Sequence, residues 1–171
     1  MESRWLAAVL ARDLDTWRHE VEAFPDEASL WVAPPGVSNS AGTLTLHIAG
    51  NLCHFVGAVL GQTGYLRNRE YEFAARDVPR ADLLAALDQA KAAVEETLGG
   101  ARAVDLNALY PETIAGRYRI RTGDWLVHLV SHCGLHLGQV GYLRRIITGE
   151  NKAVTGAGIT TLATLVPAES A

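Results

Sequence analysis

Four stretches of the chain carry apolar residues at helical spacing, and two of them hold long runs without a charged residue. In residues 3–24, Trp5, Leu6, Val9, Leu10, Leu14, Trp17, Val21 and Phe24 recur three or four apart, with Arg12, Asp13, Asp15 and Glu20 elsewhere. Pro25 closes that helix. A second helix is expected over 41–63, with Asn39 or Ser40 as its N-cap and Gly64 near its end. A third over 79–98 places Leu83, Leu84, Leu87 and Val94 on one face, Pro79 in its first turn and Gly99-Gly100 at its stop. The fourth covers 124–148, from Asp124 to just before Gly149. This pattern predicts an all-α protein, a four-helix bundle forming a single domain over residues 1–171.

The connections are less regular. Pro34-Pro35-Gly36 marks an ordered loop in 26–40, with Trp31 expected to pack back on the bundle. Residues 65–73 read as a charged, aromatic-laced connection. The alternation at Arg117-Tyr118-Arg119-Ile120-Arg121 is too short to predict a sheet. The tail from Glu150 has no usable pattern.

Within the two uncharged helices the polar residues themselves are periodic. His47, Asn51 and His54 fall on one stripe of the second helix; His128, His132, His136 and Gln139 fall on one stripe of the fourth. Gly50, Gly57 and Gly61 flank the first stripe, a cost that close approach of a neighbouring backbone would offset. Opposite the second stripe lie Val127, Val130, Gly134, Gly138 and Gly141. A helix surface without Lys or Glu implies cover on that side too, from the third helix, the C-terminal tail or a partner subunit.

The uncharged segments 41–66 and 125–143 are long enough to raise the question of a membrane. Their polar stripes and a mean hydropathy of only +0.07 point instead to helices buried in a soluble bundle. A net charge of −4 argues against a nucleic-acid surface. Cys53 and Cys133 form no CxxC pair and no disulfide framework, in keeping with a reducing cytoplasm, and the first residues lack the pattern of a signal peptide. Both thiols read as small core residues.

Imidazoles buried in uncharged helices need partners. Two readings fit the stripes equally. The histidines hold a metal ion, or they satisfy one another, Asn51, Gln139 and water within the core. The i, i+4 spacing of His132 and His136 suits metal ligands, but Cys133 stands where a zincin has its Glu. His19 lies among charges and is expected to be solvated; Arg67 and Arg69 read as a solvated loop.

Three motifs go further. Asn39-Ser40 followed by His47-Ile48-Ala49-Gly50-Asn51, then Arg67-Asn68-Arg69 with Phe73, then His132 and His136-Leu137-Gly138-Gln139, together resemble the DinB/YfiT-like superfamily across nearly the whole chain. The resemblance implies a four-helix bundle, often dimeric, in which three histidines hold a divalent metal, usually zinc or nickel. By position the ligands would be His47, His132 and His136, with Asn51, His54, His128 and Gln139 as pocket or surrounding residues. Leu137 departs from the pattern, since many members have Arg before Gly-Gln.

Three neutral imidazoles leave a metal its charge and an open position, which can lower the pKa of bound water or hold a thiol as thiolate. Hydrolysis also asks for a general base, and neither histidine-bearing helix has a carboxylate on its polar stripe. Thiol chemistry is therefore favoured. The resemblance agrees, because characterised relatives include S-transferases and isomerases that use low-molecular-weight thiols such as bacillithiol or mycothiol. The leading expectation is a metal-dependent thiol S-transferase acting on a small-molecule substrate as a cytoplasmic homodimer. A metal-dependent hydrolase and a non-enzymatic stress-response or interaction protein with a structural metal are the alternatives.

Overall fold

In the computed structural model, residues 2–101, 104–154, 158, 159 and 162 are described. The helices are α1 (Ser3–Glu22), α2 (Ala41–Leu52), α3 (Arg69–Ala74), α4 (Arg80–Leu98) and α5 (Thr122–Thr148). A 3-10 turn spans Ala28–Trp31, and α2 runs on into a wider π-helical stretch over Cys53–Ala58. No strand forms among the described residues. The segment before α5 makes only isolated bridges, Leu109 with Arg121 and Ile114 with Tyr118.

Local chemistry sets the boundaries. Ser40 caps α2, its Oγ accepting from the Thr43 amide at 3.2 Å. Asn68 caps α3 in the same way through Tyr71. Gly149, at φ 72°, ends α5 in the left-handed conformation that favours glycine. The widening after Leu52 appears as bonds from Val59 to the His54 carbonyl and from Gly61 to the Val56 carbonyl, each 3.0 Å and five residues apart.

The long helices form a bundle in which α1 and α2 each pack against both α4 and α5. Chain directions follow from cross-helix contacts. Ser3 Oγ donates to the Leu98 carbonyl and Lys91 pairs with Asp15, so α1 and α4 are antiparallel. Asp13 faces Gly134 and Glu20 faces Gly141, so α1 and α5 run together. Phe55 meets Trp125 while His47 meets His136, so α2 and α5 are antiparallel. The core between them includes Leu10, Leu14, Trp17, Ile48, Leu52, Leu87, Val94, Leu126 and Leu129, all nearly inaccessible. Trp17 Nε1 donates to Thr45 Oγ1 at 2.9 Å, tying α1 to α2 across the bundle.

Trp31 packs back on the bundle as expected. Its ring lies where a Cβ at Gly42 would stand, 2.8 Å from the nearest ring atom, so glycine at that position admits the indole. The connection before α5 is anchored by fully buried Tyr110, whose hydroxyl donates to the Phe55 carbonyl at 2.6 Å and whose ring joins Phe55 and Trp125.

Two expectations are corrected. Residues 65–73 are not only a connection, because α3 forms there, capped by Asn68, and packs on α2. The small-residue side of α5 is covered in part by α1, a neighbour that spacing did not suggest; Gly141 is buried against Glu20, while Val127, Gly134 and Gly138 stay exposed. The tail offered as the alternative cover falls largely outside the described residues.

The α1–α5 contact holds a buried ion pair. Arg144 donates through Nε to Glu20 and through a terminal nitrogen to the Lys152 carbonyl at 2.7 Å. Both side chains are almost wholly excluded from water, so each charge depends on the other. Arg144→Ala is expected to cost about 3–5 kcal/mol in urea unfolding, because it strands the Glu20 carboxylate. The double replacement Glu20→Leu with Arg144→Met should cost much less, which separates the stranded charge from lost packing.

Candidate metal centre

His47 projects from α2, and His132 and His136 project from successive turns of α5. Because the two helices are antiparallel neighbours, the stripes face each other and the rings converge. The centroids of His132 and His136 are 4.5 Å apart, and those of His47 lie 5.2 and 5.5 Å from them. One ring nitrogen from each residue falls within a group no wider than 4.8 Å. Nε2 of His132 and Nε2 of His136 are 3.1 Å apart. That is close to the edge of roughly 3.3 Å expected for two nitrogens at tetrahedral zinc distances.

The outward nitrogens decide which lone pairs face inward. Glu72 accepts from Nδ1 of His47 at 3.1 Å. Gln139 Oε1 accepts from Nδ1 of His136 at 2.6 Å. Each contact places the proton on Nδ1 and leaves Nε2 as the free donor atom, the arrangement in which neighbouring groups orient metal-binding imidazoles. His132 Nδ1 is buried and has no hydrogen-bond partner. Two of the rings, those on α5, are also disfavoured in the charged form. Burial, reinforced by the neighbouring His136 and His47, pulls His132 down to about 4. Burial also lowers His136, against the bond from Gln139 that raises it.

Glu72 is the residue that sequence reasoning missed. It comes from α3, is 4% exposed, and its two oxygens take Arg67 Nε at 2.7 Å and a terminal Arg67 nitrogen at 2.8 Å. Burial works against its charge, but the hydrogen bonds from Arg67 and His47 outweigh it and hold the carboxyl below its usual range. Arg67 is thus no solvated loop residue. It is largely buried, bound to Glu72, and lies 5.4 Å over the Phe55 ring. Gly50 explains its own cost here, since a Cβ there would collide with the Glu72 carboxylate. The only sequence signal was that glycine beside the His47 stripe, together with the Asn68 cap.

The other polar residues are placed as follows. Gln139 touches His136, as just described. His128 is exposed and stacks between Trp125, at 4.9 Å, and His132, at 5.8 Å, beside the cluster. Asn51 is buried with Oδ1 unpartnered, and no bond from it reaches a histidine among the described residues. His54 stands apart. It lies two turns, about 10 Å, along from His47 and pairs with Glu112 at 3.1 Å. Phe73 packs on His47 at 4.8 Å, while Arg69 lies over the Phe73 ring. His19 is exposed. Cys53 and Cys133 are buried free thiols that burial pushes up to about 11 and about 12, so neither supplies thiolate near neutral pH.

The chain belongs to the DinB superfamily, whose sequence pattern matches residues 10–140. Among curated proteins and solved structures none matches it. The fold agrees with the family, being helical with no strand among the described residues. No helix among the described residues is long and apolar enough to cross a membrane.

A set of three converging imidazole nitrogens fits a borderline cation such as zinc or nickel better than calcium or magnesium, which prefer oxygen. Glu72→Gln keeps the shape of the side chain but removes the charge that orders His47 and Arg67. It is expected to weaken zinc affinity about 10- to 100-fold in competition with a chromophoric chelator, with helicity by circular dichroism unchanged.

Proposed function

We propose that His47, His132 and His136 hold a divalent metal, zinc or nickel, and that the protein is a thiol S-transferase using a low-molecular-weight thiol. The observation that carries this reading is the convergence of three ring nitrogens, with His47 held from behind by Glu72 and His136 by Gln139. The bound cation supplies the positive charge that keeps a small thiol ionised near neutral pH.

The protein's own residues do the rest. Glu72 and Gln139 fix the rings of His47 and His136, and Phe73 and His128 wall the cluster. The thiol gives its proton to solvent. Its sulfur then forms the new bond to an electrophilic carbon, and the leaving group departs with the bonding electrons. No general base is needed at that step. Hydrolysis would need one, and Glu72, the carboxylate that touches the histidines, has both oxygens engaged by Arg67 and His47. Free, buried cysteines suit a reducing cytoplasm, where such thiols are available.

Protein purified without a His-tag should contain about one divalent metal per chain by elemental analysis, lost in the His132→Ala, His136→Ala double variant. Cobalt-substituted protein should then gain a sulfur-to-metal charge-transfer band on adding mercaptoethanol. Absence of metal even after reconstitution with zinc and nickel defeats both enzymatic readings. Metal without a thiol-dependent band favours the structural-metal alternative, and thiol-independent ester turnover favours the hydrolase.

We also propose a homodimer through the exposed uncharged strip of α5, where Val127 and Leu135 are 48% and 61% exposed with Gly134 and Gly138 beside them. Sedimentation velocity should show a dimer for the native chain and a monomer for Leu135→Lys. A monomeric native chain would rule the interface out.

A further inference from the structure

Beside the histidine cluster lies a cavity of about 390 Å³ with His136 and Gln139 at one end. Its walls come from three elements: Val37, Ser38 and Asn39 from the loop before α2, Leu44 from α2, and Leu143 and Ile146 from α5. None of its lining residues is Asp, Glu, Lys or Arg. The loop wall is shaped by a turn in which the Val37 amide donates to the Pro34 carbonyl at 3.0 Å, with Gly36 at φ 84°. Those values suit a type II turn with Pro35 and Gly36 at its centre. The turn at Pro34-Pro35-Gly36 therefore sets one side of a pocket that adjoins the cluster through His136.

We propose that this cavity binds the electrophilic substrate, and that its ligand is an uncharged, predominantly apolar molecule carrying one hydrogen-bond acceptor near its reactive carbon. The volume falls within the range of small-molecule sites. An ionised ligand would give up part of its hydration to the apolar walls without meeting a countercharge from the lining. The acceptor requirement follows from Gln139. Its Oε1 is taken by His136 Nδ1, which leaves its amide N–H groups to donate. His136 belongs to both the cluster and the cavity wall, so a ligand seated on Leu44 and Ile146 adjoins one of the three converging rings. The role of the ligand as a reacting electrophile rests on the thiol-transfer reading; its chemical class rests on the cavity alone.

The test separates the two. Binding of unreactive dinitrobenzene and of its anionic counterpart, dinitrobenzoate, is measured by calorimetry on native full-length protein without added thiol. The neutral ligand should bind at least about tenfold more tightly. Val37→Lys and Ile146→Lys alter positions that are already partly or largely exposed, 37% and 62%, and a lysine in the last turn of α5 also suits the helix end. Each should reverse the preference by favouring the anion while leaving metal content unchanged. Turnover of chlorodinitrobenzene with mercaptoethanol, releasing chloride as the carbon–sulfur bond forms, should follow the same order against chlorodinitrobenzoate. Equal binding of the two unreactive ligands, or a preference that neither lysine variant moves, overturns the assignment of the cavity. A neutral preference that the lysines reverse, without any thiol turnover, upholds the ligand class and defeats the S-transfer reading instead.

Discussion

A buried imidazole has two nitrogens, and each must meet a partner or a ligand. Much of the architecture around the cluster follows from meeting that need for His47 and His136 on the outward side. Glu72 serves His47 only because α3 carries it across the face of α2, and α3 can approach only because Gly50 has no side chain in the way. Arg67 then neutralises the buried carboxylate with two hydrogen bonds, so that the negative charge orienting His47 is not itself left unpaired. Gln139 serves His136 from one turn along the same helix and needs no partner element. His132, with its Nδ1 unpartnered, lies between neighbouring rings on both sides.

The bundle supplies the distance over which this works. Antiparallel α2 and α5 bring histidines almost ninety positions apart in the chain into ring contact, and α1 backs α5 through the Glu20–Arg144 pair. At the far end of α2, the widening over Cys53–Ala58 and the Phe55–Tyr110–Trp125 cluster lock the irregular segment before α5 onto the bundle. The charge-free cavity alongside is a consequence of the same packing, since the stretch of α5 that carries the histidines is uncharged to Leu143 and the loop beside it lines the cavity with Gly36, Val37, Ser38 and Asn39.

How much could be read from the chain depended on how local the signal was. Helical period alone put His132 and His136 on one stripe and His47 on another, because positions three and four apart share a face whatever surrounds them. The same rule put His54 on the stripe of His47, yet His54 pairs with Glu112 instead, since sharing a face does not bring residues two turns apart to one point. Arg67 looked like a solvated loop residue because charged residues in connections usually are, and its burial depends on a carboxylate that only folding delivers.

The sequence by itself determined the four long helices, their approximate starts, the Ser40 cap and the two polar stripes, all of which are encoded by neighbours within a few positions; the second helix, expected to run to 63, leaves the α-helical form after Leu52. Tertiary structure alone decided that α1 covers α5, that α3 forms and brings Glu72 to His47, and that an uncharged cavity adjoins His136. Those features rest on contacts between distant segments, and no local period records which distant carboxylate will meet a given imidazole.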